Sequence, residues 1–172
     1  MRTWSMQVYA QLAAFRRFIA SRLRIISQHI RANDMPDMEY WIKKYEDKTG
    51  EEFKPSPGFK LFFFPNRGFA EYAYTQDMVI VRQMCGDSLF WKQLSECLAI
   101  SMCCKMIGSY CIRRNIEAYI RLFGYRIERT ETLSDGLKRY FCVDKYGKRG
   151  QASPAGHSIK TGIQRYYITW EV

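Results

Sequence analysis

Three observations predict an α+β domain built on a mixed, mostly antiparallel sheet flanked by helices. The first is a set of three β-branched and aromatic runs, "FKLFFF" from Phe59, "FAEYAYT" from Phe69 and "MVIVRQM" from Met78. They are separated only by "PNRG" and "QD", short enough for hairpins, so they read as an antiparallel meander. The second is a change of period after Gly86, where Leu89, Phe90, Leu94, Cys97, Leu98 and Met102 recur at helical intervals. The third is the return of strand signals in "YRIERTETL", "KRYFCVD" and "QRYYITWEV". Runs of strands set beside helices, without regular βα alternation, belong to the α+β class.

In chain order, residues 4–31 read as one long helix. Trp4, Val8, Leu12, Phe15, Ile19, Leu23, Ile26 and Ile30 recur every three or four positions and so share one face. Arg16, Arg17, Arg22, Arg24 and Arg31 occupy the rest of the circumference. This basic amphipathic helix, residues 1–33, is an extra element that can pack on its own domain, pair with a second copy, or dock on a partner or membrane surface. "RANDMPD" ends it. A shorter helix runs from Pro36 to Thr49 and stops at Gly50. The connector "EEFKPSPG" leads to the meander. The helix over Ser88–Cys104 is followed by a strand, "MIGSYCI" from Met106, and by a short helix in "RNIEAYIRLFG" that Gly124 closes. The stretch "KYGKRGQASPAGHSIKTG", residues 145–162, reads as a long Gly-, Ser- and Lys-rich loop of functional or mobile character.

Composition narrows the classes. Hydrophobic residues make up 47% of the 172-residue chain and aromatics 16%, which excludes a disordered chain. No eighteen-residue apolar run exists, so no transmembrane helix is expected. The arginine-studded N-terminus lacks the pattern of a secretory signal. The expectation is a soluble, cytoplasmic protein. Six cysteines without a CxxC pair, and two distant histidines, read as small core residues in a reducing compartment and not as a zinc site.

The formal charge of +10 is unevenly placed. Residues 1–33 hold six arginines and no acid, and residues 138–165 hold seven basic residues against Asp144 alone. Such patches fit an acidic macromolecule, either nucleic acid or a nucleic-acid-associated protein.

The turn Gln83-Met84-Cys85-Gly86-Asp87-Ser88 joins the third strand to its helix. Successive backbone amides at such a joint, with a glycine, can cradle a phosphate. Asp or Ser ahead of an apolar helix also makes an ordinary N-cap. With the element order and "NIEAYIRLFGYRIE", this turn resembles the GNAT superfamily of acyl-CoA-dependent N-acyltransferases over residues 36–172. That resemblance implies a GNAT-like sheet and acetyl-CoA or another acyl-CoA as cofactor. It implies contacts from Gln83, Cys85, Gly86, Asp87, Ser88 and Asn115, with backbone amides near Val81 and Arg82 polarising the thioester. The turn departs from the family pattern at Asp87 and Ser88. The tyrosine of the family's following helix falls on Ile120 here, next to Tyr119.

Acyl transfer to an amine needs a base, an oxyanion donor and an acid for the thiolate. Glu71, on the strand before, is the candidate base, with a solvent-facing strand position as its alternative. Asp77 reads as a structural turn residue. Tyr110, Tyr119 and Cys111 are the candidate acids. Two functions follow. One is an acyltransferase acting on an amine carried by an acidic protein or nucleic acid, DNA included. The other is a non-catalytic scaffold of phage or mobile-element origin, working in the host cytoplasm. Such a scaffold would block a host nucleic-acid enzyme, as anti-CRISPR proteins do, or bind nucleic acid itself. Tyr166, Tyr167 and Trp170 are candidate stacking surfaces, although period-two alternation sends half of them to the core.

Overall fold

A computed structural model describes residues 36–172. The expected helix over 4–31 lies outside the described residues. Helix α1, Met38–Thr49, starts where the Asp37 carboxylate accepts the Tyr40 N–H and stops where Gly50 turns left-handed. Strands β1 (Lys60–Phe64), β2 (Gly68–Tyr74) and β3 (Met78–Gly86) form the antiparallel meander that the sequence predicts. Helix α2, Ser88–Ser101, then carries the chain back to β4, Met106–Ile112. Strand β4 therefore lies parallel to β3, because a helical crossover returns the chain to the same end of the sheet. Helix α3 spans Ile116–Leu122, and β5 (Tyr125–Thr132), β6 (Lys138–Asp144), β7 (Arg149–His157) and β8 (Gln164–Glu171) complete the chain.

The eight strands form one sheet in the order β1-β2-β3-β4-β8-β7-β6-β5, antiparallel except at β3/β4. The α+β class and the mixed, mostly antiparallel sheet hold. Alternation along the strands sends side chains to opposite faces. Ala70, Tyr72, Val79, Val81 and Ile107 face α2 and α3 and meet Trp91, Leu94, Ile116 and Ile120 in the main core. Phe69 and Cys85 face the other way and are covered by Trp41 and Tyr45 of α1.

Three expectations are corrected. Residues 145–162 are not one long loop, because Arg149–His157 form β7 and pair with both β6 and β8. Backbone pairing on two sides overrides the low strand propensity of Gly, Ser and Pro. Pro154, which has no N–H to give, sits where the β7/β8 register shifts. Helix α2 ends at Ser101, before Cys104, because Cys103 adopts a left-handed φ of 56°. Tyr166 and Trp170 are buried in the main core, so of the three proposed stacking residues only Tyr167 reaches a partly open surface.

Candidate functional site

The site arises from an irregularity where β2, β3 and β4 meet. Ala70 pairs with Met84 and Tyr72 with Val81, so Glu71 stands opposite two residues, Arg82 and Gln83. This is a β-bulge on β3, which bends the strand and increases its twist. Parallel pairing of β3 with β4 runs from Met78↔Met106 to Val81↔Ser109 and stops at that point. Both strands continue, β3 to Gly86 and β4, still paired with β8, to Ile112. The two strands diverge beyond Val81 and Ser109.

A cleft of about 1020 Å³ occupies the divergence. Arg82, Gln83 and Met84 line it from β3, Tyr110, Cys111 and Ile112 from β4, and Arg113 from just beyond the end of β4. Tyr119 of α3 and the C-terminal end of α1 add two further walls. The β7–β8 turn supplies Ile159 and Lys160 at the rim, with Ile159 98% exposed. That turn is fastened to α1, for the buried Ser158 hydroxyl donates to the Thr49 carbonyl at 2.9 Å. A Cβ on Gly50 would stand 2.6 Å from the Thr161 methyl, and Arg165 pairs with Glu51.

Of the candidate residues read from the sequence, Arg82, Gln83, Tyr110, Cys111 and Tyr119 come together in this cleft. Glu71 lies behind it. The solvent-facing alternative for Glu71 is overturned, since the residue is 1% exposed. Its carboxylate accepts the Ser56 N–H at 2.9 Å, the Ser56 hydroxyl at 2.7 Å and the Gln83 amide at 3.0 Å. An acidic side chain in a strand otherwise reads as exposed; the bulge turns it onto donors from the "KPSPG" connector. Asp77 sits in a turn, its carbonyl accepting the N–H groups of Lys105 and Met106.

The remaining candidates have local structural roles. Val81 is core, and Cys85 packs under α1. Asn115 caps α3 by accepting the Ala118 N–H. Asp87 caps α2 by accepting the Phe90 N–H at 3.0 Å, and also pairs with Arg67 from the β1–β2 turn. The Arg67 carbonyl accepts both the Asp87 N–H and the Trp91 indole N–H at 2.9 Å. Gly86 is needed because of this contact: a Cβ there would lie 2.0 Å from the Arg67 carbonyl oxygen. Arg67, Ser56, Arg113 and Lys160 were not singled out from the sequence. The local signs are the basic pair Arg113-Arg114 at a strand end and, for Lys160, its place in the basic stretch 138–165.

The charges of the cleft are unbalanced. Lys54 pairs with Glu52 at 3.0 Å and Arg165 with Glu51. Arg82, Arg113 and Lys160 form no ion pair with any described residue. The Arg82 guanidinium lies 5.9 Å from the Phe59 ring centre, and that of Arg113 4.8 Å from the Tyr119 ring. Burial, then the neighbouring Arg113, holds the Lys48 ammonium below its ordinary range. Burial, with Cys111 beside it, pushes the Tyr119 phenol far up, so it keeps its proton at neutral pH.

All six cysteines are free, and four of them are buried. Burial pushes the Cys111 thiol from an ordinary 9.0 to about 12 and that of Cys142 to about 11. In the unfolded chain these thiols ionise near 9, below their folded values, so unfolding releases protons and stability falls as pH rises from about 9 towards 12. Denaturant midpoints between pH 8 and 11 should fall steadily. With a disulfide reagent at pH 8, exposed Cys103 should react at once, whereas Cys111 and Cys142 should react only after denaturation.

Among the described residues, no three His, Cys, Asp or Glu side chains converge as a metal site, and no helix is long and apolar enough to cross a membrane. No protein-family model, curated protein or solved structure matches the chain, so the geometry of this cleft bears the functional argument.

Proposed function

We propose that the chain is a GNAT-like acyltransferase that acts on an amine carried by an acidic macromolecule. The observation that supports it is the divergence of the parallel pair β3/β4 at a bulge, with a cleft opening there. Beyond Val81, β3 has no strand partner on its β4 side, so backbone groups of the bulge are free to bind an extended ligand. Unpaired cations in the same cleft suit an acidic acceptor. Acyl-coenzyme A, when bound, supplies the activated acyl group. Arg82 and Arg113 face the acidic acceptor, Gln83 is oriented by Glu71 and the Lys54 carbonyl, and Tyr119 retains a proton it can donate.

A calorimetric titration with acetyl-CoA tests this reading. The expected result is saturable binding and, near 100-fold saturation, stabilisation of about 2.7 kcal/mol in thermal unfolding. Absence of both heat and thermal shift at millimolar acetyl-CoA and coenzyme A would sink it.

The second reading, a non-catalytic scaffold of phage or mobile-element origin that inhibits a host nucleic-acid enzyme or binds nucleic acid, is favoured by a different observation. The turn that would hold the diphosphate is engaged internally, with Asp87 capping α2 and paired to Arg67. Partner binding without any acyl-CoA binding would select it.

A further inference from the structure

We infer that the cleft is built to grip an acidic polypeptide segment, with Arg82 and Arg113 as a two-point carboxylate clamp and Lys160 at its rim. This inference names the acceptor of the proposed acyl transfer and rests on that reading for the transfer step alone; the binding stands on its own observations. The first is charge. Five cations and two carboxylates line the cleft, and the two carboxylates are already paired, to Arg165 and Lys54. That leaves Arg82, Arg113 and Lys160 without a described counter-charge. Guanidinium forks match carboxylates bidentately, and a partly enclosed site strengthens the attraction over that of open solvent.

The second observation separates peptide from nucleic acid. Single-stranded nucleic acid binds through free aromatic faces on which bases stack. Of the four aromatic rings in this cleft only Tyr110 is exposed, at 46%, and it already packs on Tyr167. Tyr110 packs on Tyr167 at 4.8 Å, and Tyr119 is held between Phe123 at 4.4 Å and Arg113. Phe59 lies under Arg82, and Tyr45 packs on Phe53 and Phe69. The Arg82 guanidinium has no hydrogen-bond partner among the described residues, and that of Arg113 gives one nitrogen to the Ile112 carbonyl at 3.3 Å and keeps its others for a ligand.

The test uses a fluorescein-labelled oligoglutamate peptide containing one lysine, followed by anisotropy, with oligothymidylate as competitor. Wild-type protein should bind the peptide without acetyl-CoA, more weakly as salt rises. Arg82→Gln and Arg113→Gln should each weaken binding about tenfold or more, the scale of one charge-assisted contact. Lys105→Gln, exposed and outside the cleft, should leave it unchanged. Circular dichroism and Tm establish that each variant is folded; if Arg113→Gln unfolds, Arg82→Gln and Lys160→Gln carry the test. No peptide binding, equal binding by folded cleft variants, or preferential binding of oligothymidylate overturns the inference. Acetyl-CoA titration reads independently, so peptide binding without acetyl-CoA binding removes the enzyme reading and leaves the clamp.

Discussion

Replacing Gly86 with alanine should destabilise the protein by about 3–5 kcal/mol, because two independent costs fall on one atom. The backbone there has φ of 117°, which side chains of L-residues rarely adopt. The added Cβ would also lie 2.0 Å from the Arg67 carbonyl oxygen, a backbone atom that cannot swing aside. That carbonyl is fixed by the N–H groups of Asp87 and Trp91, so relief would cost the contact between the β1–β2 turn and α2. Gly136→Ala is the internal control. Its φ is 79° but no heavy atom lies within 4 Å of the new Cβ, so only the strain of about 1 kcal/mol remains. Thermal unfolding should place Gly86→Ala lower than Gly136→Ala by about 6 °C or more. Equal Tm values would show that the turn opens freely, returning Gly86 to the role of a ligand-approach residue.

That comparison explains why this joint is ambiguous in sequence. A glycine ahead of Asp-Ser and an apolar helix is required both by a phosphate that must come close and by a carbonyl that must come close. The two demands leave the same residues. What separates them is Arg67, nearly twenty positions earlier, and nothing local marks it as the partner of Asp87. Period-based features suffer no such ambiguity. The meander, the stop at Gly50, the cap at Asp87, and the split of Tyr166 and Trp170 from Tyr167 follow from alternation and capping chemistry alone, whereas the helix expected from Pro36 starts two residues later, capped by Asp37. Strand β7 was missed because pairing on both sides, which the chain's own propensities do not encode, holds it in place.

The cleft was legible only in part for a related reason. Arg82, Gln83, Tyr110 and Tyr119 were visible as strand and helix residues near a suspected site. A bulge, however, is a mismatch between two strands, and "MVIVRQM" reads as an unbroken run. Arg113 and Lys160 become cleft residues through the divergence of β4 and the fastening of the β7–β8 turn to Thr49. Both are long-range events.

Glu71 is where these threads meet, and its substitutions separate anchoring from catalysis. Removing the carboxylate in Glu71→Ala leaves the Ser56 N–H and hydroxyl without their acceptor inside the fold, while the Gln83 amide keeps the Lys54 carbonyl at 2.5 Å. Unsatisfied buried donors and the cavity together should cost about 3 kcal/mol or more. Glu71→Gln keeps the volume and one acceptor oxygen but sets an NH2 against one of the donors, for a cost of about 2 kcal/mol. The functional consequence follows from Gln83, which Glu71 and the Lys54 carbonyl together hold on the cleft side of the bulge. A positioning role predicts that Glu71→Gln weakens ligand binding while any acyl transfer keeps its pH profile. A base would instead give a folded protein with ligand binding intact and transfer abolished at every pH. Denaturant unfolding beside ligand titration of the same variant distinguishes the two. The three donors already on this carboxylate favour loss of stability and of binding together.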